Sequence, residues 1–211
     1  MKRSASAAVL CTLKWNNGTD LPLSVTACVD EIGQRIAGPV ALYGHCVGSN
    51  LALEITRRLE LAGRDVRFLA VAGALPASAE DKVLMEQDIW DGIADADIHA
   101  LIRSWGGSTE PVEQDALRFI IGNFKKDSRM ASRYECDRGD WRIATSIHAL
   151  FGSTDPLTPE FGTRYLRWRE VADTVHLNVI DGGHHYFVGD QPDAVAAVLR
   201  NTMHLQEGKP S

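Results

Sequence analysis

Cysteine is scarce and scattered. Cys11, Cys28, Cys46 and Cys136 form no C-x-x-C pair and no Cys/His spacing of zinc-finger type, so neither a metal site nor a disulfide framework is suggested. No apolar run reaches the ~18 residues that a membrane span needs. Basic residues are outnumbered 22 to 28, for a net charge of −6. That balance argues against a nucleic-acid-binding surface, which depends on concentrated Lys and Arg. The 18 glycines include neither G-x-G-x-x-G nor a Walker lysine, so a nucleotide site is unsupported. Met1-Lys2-Arg3 and the small residues up to Leu13 loosely resemble a signal peptide. Ser4, Ser6, Cys11 and Thr12 weaken its apolar core, however, and Lys14 cuts it short. The expectation is a reduced, cytoplasmic chain.

What is present is ordinary globular material. With 211 residues, 45% hydrophobic and 24% charged, the chain can bury a core without staples, and a single domain over 1–211 is expected. Val25, Cys28, Val29, Ile32 and Ile36 follow helical spacing up to Gly38-Pro39. Val40-Ala41-Leu42-Tyr43 is a short continuous apolar run, as in a strand buried on both faces. Leu51, Ala52, Ile55, Leu59 and Ala62 predict a helix ended by Gly63, and 66–72 another buried strand. Such alternation predicts a mostly parallel sheet with crossover helices. It is interrupted over about 77–140, where only helical patterns occur (83–89, 98–105, 117–134). It resumes with a strand at 143–151, a helix opened by Thr158-Pro159, a strand at 175–180 and a last helix from near Asp190 to about Met203. The architecture is therefore α/β with a helical insertion.

Three loops carry chemistry. Gly44-His45-Cys46-Val47-Gly48 has the form of a nucleophile elbow, G-x-[nucleophile]-x-G, lying between a strand and a helix with Cys where Ser is usual. Glycines two before and two after the nucleophile are expected to let backbone approach without a Cβ clash. A lone core Cys is otherwise an inert small hydrophobe. Gly152-Ser153-Thr154-Asp155-Pro156 puts Asp155 at the C-terminal end of a strand, the edge where sites form in open α/β sheets; alone, it reads equally well as an Asx turn. Asp181-Gly182-Gly183-His184-His185 follows the final strand. Nucleophile, acid and histidine in that chain order match the triad order of α/β-hydrolases. His184 and His185 compete for the base. The Gly-Gly-His contact favours His184, with His185 orienting it or lining the pocket, and His45 reads as a packing residue of the elbow.

These residues resemble a known family. Gly38 to Gly48 (GPVALYGHCVG) is similar to the G-P-x-A-L-x-G-H-S-x-G elbow of the type II thioesterases of nonribosomal peptide and polyketide synthases. Residues 102–108 resemble the L-x-x-x-G-G-T stretch of their helical lid, and 119–134 their lid helix. Asp155 and Gly182-Gly183-His184 match their G-x-x-D-P and G-G-H-F-F loops. The resemblance runs from about residue 21 to 204. It implies an α/β-hydrolase-like sheet with a lid over 77–140. It also implies acyl or peptidyl thioester substrates on the phosphopantetheine of a carrier protein, in the service of peptide and polyketide antibiotic biosynthesis.

Two departures bear on mechanism. Cys46 replaces the family's serine, so the acyl-enzyme would itself be a thioester. The family's first strands, with the loop giving a second oxyanion donor, have no match in residues 1–20, so an N-terminally shortened sheet is expected. The Val47 N–H remains as one donor, and loss of the other costs about 100–1000-fold in kcat in comparable sites. The leading expectation is a thioesterase with a Cys46–His184–Asp155 triad, no metal and no redox cofactor. An acyltransferase or cyclase using the same residues, or a non-catalytic carrier-protein-binding remnant, are the alternatives. Lys125, Lys126, Arg129, Arg133, Arg138 and Arg142 form a modest basic cluster that reads first as a plain solvated helix face and only second as a surface for an acidic carrier protein.

Overall fold

The computed structural model describes residues 21–87, 90–107 and 113–207. The expected loss of N-terminal strands, the 16–20 turn and the reading of residues 1–13 all lie outside the described residues. Helix α1 (Leu21–Arg35) buries Leu21, Val25, Cys28 and Ile32 along one stripe. Strand β1 (Val40–His45) leads through Cys46 into α2 (Val47–Leu61), and β2 (Val66–Ala72) follows. α2 begins four residues before its apolar period becomes readable, because Val47-Gly48-Ser49-Asn50 carries little apolar signal. Ser49 is nevertheless fully buried, and its hydroxyl donates to the Gly44 carbonyl at 3.0 Å.

The stretch between β2 and the next strand is helical: α3 (Ala79–Met85), a 3-10 turn at Trp90–Gly92, α4 (Asp95–Ser104) and α5 (Gln114–Asp137). A capping box opens α3, Ser78 accepting from the Asp81 amide while Asp81 accepts from the Ser78 amide. Strand β3 (Ile147–Gly152) comes next, shorter than the expected 143–151. The Glu60 carboxylate is the reason. It takes the amides of Ala144 at 3.1 Å and Thr145 at 2.7 Å, which removes them from a ladder and leaves only an isolated bridge at Ile143.

After β3 the chain forms α6 (Phe161–Arg164) and a 3-10 segment, Tyr165–Glu170. The expected start at Thr158-Pro159 is not found. Residues 155–158 are instead wound around Asp155, with Leu157 N–H on its carboxylate. Strand β4 (Val175–Ile180), α7 (Phe187–Asp190) and α8 (Pro192–Glu207) complete the chain, and the last helical region is split at Gln191 with Pro192 as the first residue of α8.

The four described strands are all parallel in the order β1-β2-β3-β4. Leu53 of α2, Trp168 of the Tyr165–Glu170 segment and Val171 just after it pack on one face against Leu69, Val71, Ala149 and Phe151. On the other face, Phe187 and Val195 cover Phe68, Ala70, Ala72 and Leu150. All strands point their C-terminal ends the same way, so the loops after β1, β2, β3 and β4 share one edge of the molecule.

Candidate active site

Cys46 sits between β1 and α2 with φ 53°, a left-handed conformation unusual for a residue with a side chain. Its amide is tied to the Ala72 carbonyl at 2.8 Å, which fixes the turn to the neighbouring strand. The two glycines around it are not equivalent. A Cβ on Gly44 would come within 2.7 Å of Ser49 Cα and would overlap the Gly48 carbonyl, whereas one on Gly48 would meet nothing within 4 Å. Only the first glycine is sterically required. Val47 opens α2, so its N–H is among those without an intrahelical acceptor.

Asp155 and the histidine loop are joined by glycines as well. A Cβ on Gly152 would approach the Gly183 carbonyl carbon to 2.6 Å. The close approach lets the Thr154 amide and hydroxyl both donate to the Gly183 oxygen, at 3.0 and 2.9 Å. The side chain thereby delivered to Asp155 is His185. Its Nδ1 donates to Asp155 Oδ2 at 2.9 Å, while Leu157 N–H donates to Oδ1 at 2.9 Å. Both partners are buried, at 1% and 6% exposure. With Nδ1 engaged, Nε2 is the ring nitrogen left over, and the charge of the Cys46 sulfur acts on the ring.

The expected base, His184, is not brought to the acid. It is exposed, its Nδ1 shares a hydrogen bond with Thr154 Oγ1 at 3.2 Å, and its Cβ lies over Gly106. The physical reason lies in the loop after Gly183: successive side chains diverge there, and the second histidine is the one turned inward. Cys46 and Asp155 are brought together as expected, with His185 in the place assigned to His184.

Burial alone would lower the His185 pKa, but the Asp155 bond and the Cys46 sulfur outweigh it and raise it to about 9. Burial would raise Asp155, yet the His185 hydrogen bond and charge and the Leu157 N–H hold it below its ordinary value. His45 packs 5.3 Å from the His185 ring and 5.1 Å from Phe187, and shares a hydrogen bond with Tyr43 Oη at 3.2 Å. Burial, then repulsion from His185, lowers it to about 4. It is therefore a neutral ring packed against His185 and Phe187.

Two further contacts escaped the sequence reading. The Trp105 carbonyl, at the end of α4, accepts the His185 amide at 3.0 Å, and its indole lies 6.2 Å from the His185 ring. Phe124 backs Trp105 at 5.8 Å and Trp90 at 5.0 Å. Gly73, at φ +57°, passes under both rings, where a Cβ would meet His185 at 3.2 Å and His45 at 3.4 Å. A glycine directly after a buried strand at the site edge was the available signal.

Three residues of the basic cluster are engaged within the chain. Lys125 bonds Asp95 at 2.9 Å, and Arg138 is buried near Glu135. Arg142 binds Asp173 and the carbonyls of Arg169 and Glu170.

A thioesterase-domain family model matches residues 20–203. The chain belongs to the thioesterase family. It is 31% identical over 170 residues to the phenyloxazoline synthase MbtB of Mycobacterium tuberculosis, covering 78% of this chain and 11% of that protein. It is 29% identical over 178 residues to a probable cadicidin biosynthesis thioesterase of Streptomyces griseus, covering 82% and 46%. The chain thus spans less than half the length of these two relatives. Among solved structures, ClbQ of the colibactin NRPS/PKS pathway superposes with TM-score 0.73 at 18% identity, covering 89% and 78% of the two chains. The type II thioesterase YbtT of the yersiniabactin pathway gives 0.67 at 22%, covering 88% and 74%. The thioesterase fold is the α/β-hydrolase sheet expected from the sequence. No described helix is long and apolar enough to cross a membrane, and among the described residues no His/Cys/Asp/Glu group could hold a metal ion.

Proposed function

We propose that this thioesterase releases acyl or peptidyl groups held as thioesters on the phosphopantetheine arm of a carrier protein, using Cys46, His185 and Asp155. The observation that carries the reading is the buried His185–Asp155 hydrogen bond facing a cysteine held at φ 53° on a strand-to-helix turn. In this mechanism the Cys46 sulfur attacks the thioester carbonyl. The Val47 N–H, at the positive end of α2, stabilises the oxyanion. As the tetrahedral intermediate collapses, the C–S bond to the arm breaks and His185 gives its proton to the departing thiolate. His185 then takes a proton from water, which attacks the acyl-Cys46 thioester and frees the acid. Asp155 holds the ring tautomer and balances the imidazolium charge. No cofactor is needed for these steps, and the carrier-protein origin of the substrate rests on the family.

Intact-protein mass spectrometry after mixing with a short acyl-pantetheine thioester tests the reading. An acyl adduct, or release of free acid, is expected for the wild type and not for Cys46→Ala. Equal release by both proteins would exclude a Cys46 nucleophile.

A further inference from the structure

Resting on that reading, we infer that the site also moves acyl groups reversibly from one thiol to another, so that a second pantetheine-type thiol competes with water for the acyl group on Cys46. Three observations carry it. The nucleophile is a cysteine, so the acyl-enzyme is a thioester of the same bond type as the substrate. With a serine the acyl group would drop to an oxygen ester, from which a thiol recovers it only uphill; with Cys46, return to a thiol is close to isoenergetic. The second observation is geometric. His185 is fixed by Asp155 at 2.9 Å through Nδ1 and by the Trp105 carbonyl at 3.0 Å through its amide. The same Nε2 that protonates the departing thiol is therefore held in place to deprotonate an incoming one. Microscopic reversibility gives the incoming arm the path that the first arm left by.

The third is the acidity of the acceptor. An ordinary thiol loses its proton near ~8.5, far below the ~15.7 of water, so a histidine base activates a thiol more readily than water. Water's higher concentration is offset when the thiol is held on an arm in the site, where effective molarity is large. The balance is closed. The incoming thiol gives its proton to His185 and forms a new C–S bond to the acyl carbon. The C–S bond to Cys46 breaks, and the sulfur leaves as thiolate beside the imidazolium. Net, one thioester and one thiol become another thioester and another thiol, with no oxidant or reductant.

The test uses the whole chain, hexanoyl-pantetheine and deuterated pantetheine at millimolar concentration, with Cys46→Ala setting the uncatalysed background. Mass spectrometry counts labelled hexanoyl-pantetheine, the exchange product, against hexanoic acid. Exchange at least tenfold faster than acid release is expected of the wild type, and Cys46→Ser should lower that ratio tenfold or more. Acid release without exchange above background would overturn the inference and leave the thioesterase reading standing. An unchanged ratio in an active Cys46→Ser would overturn it too, because the thiol would not be its cause. Absence of exchange, acid and acyl-protein adduct alike would overturn both. An inactive Cys46→Ser leaves the decision with the wild-type ratio, which suffices alone.

Discussion

His184 and His185 are adjacent, yet one is exposed beside Thr154 and the other is buried against Asp155. Replacing each by Ala separates their roles. His185→Ala should lower kcat by a factor on the order of 1000 or more, as losses of triad members do. His184→Ala should stay within about threefold of the wild type; a reversed pattern would return the base to His184. The raised His185 pKa adds a pH signature. The working form carries the proton on His185, so kcat/KM should fall as pH rises through about 9. Asp155→Asn removes the carboxylate that favours the imidazolium, so this alkaline limb should move to lower pH while kcat falls. An unmoved limb would assign the titration to another group. The same shift enters stability with a definite sign: the fold favours the protonated ring. Its contribution is complete below the ordinary 6.5 and is lost as pH rises through about 9. Cys46 and Asp155 were legible because each holds a fixed place in a motif after a buried strand, G-x-C-x-G and G-x-x-D-P. The base stayed open because the two histidines differ only in the direction a single loop residue faces, which depends on Gly152 meeting Gly183 across a gap of some thirty positions.

Helix α4 reaches the His184-His185 loop through its last turn, and this contact makes the insertion a border of the candidate site. Gly106 has φ +90°, and a Cβ there would lie 2.7 Å from His184 Cβ. Gly106→Ala should strain the turn by about 1–3 kcal/mol and push Trp105 away from His185, lowering kcat about ten- to a hundredfold. Gly122, within α5, has nothing within 4 Å of its missing Cβ. Gly122→Ala should leave kcat unchanged and add about 0.5–1 kcal/mol of stability. Equal kcat in the two variants would mean that the turn after α4 does not position His185. Elements of this kind were legible to different degrees. β2 was read to the residue because its apolar run is bounded by Asp65 and Gly73, and β4 because Asp173 and Asp181-Gly182 bracket its alternating Val175 to Ile180. β3 was read too long because Glu60, more than eighty positions upstream, takes the Ala144 and Thr145 amides. The helix expected at Thr158-Pro159 failed because the chain there serves Asp155 before it serves a helix. Local capping signals carry no information about such distant partners.

Across the whole molecule, burial is uneven in a way that bears on motion. Leu69 to Ala72 in β2 and Ala149 and Leu150 in β3 are fully buried, with ladder partners on both sides. The helical insertion is different: Val83, Leu84, Phe119 and Ile120 are exposed, and the 24-residue α5 buries only Ile121 and Glu135. Its ties to the rest are identifiable, among them Arg167 on the Asp81 carboxylate at 3.1 Å, Met130 and Tyr134 against the core beneath α2, and the Trp105 carbonyl on the His185 amide. Opening free energies follow buried apolar contact and protected hydrogen bonds, so the insertion should open while the sheet stays closed. Hydrogen exchange should be slowest in β2 and β3, and faster by a factor on the order of 100 in α3, α4 and α5, which corresponds to about 3 kcal/mol. Acylation of Cys46 with a hexanoyl group should then slow exchange in α4 and α5 and leave β2 and β3 unchanged, because Trp105, backed by Phe124 of α5, borders His185 at 6.2 Å from the side of the insertion. Uniform exchange across sheet and insertion would mean that they open as one unit. Protection confined to the sheet would place the acyl chain elsewhere.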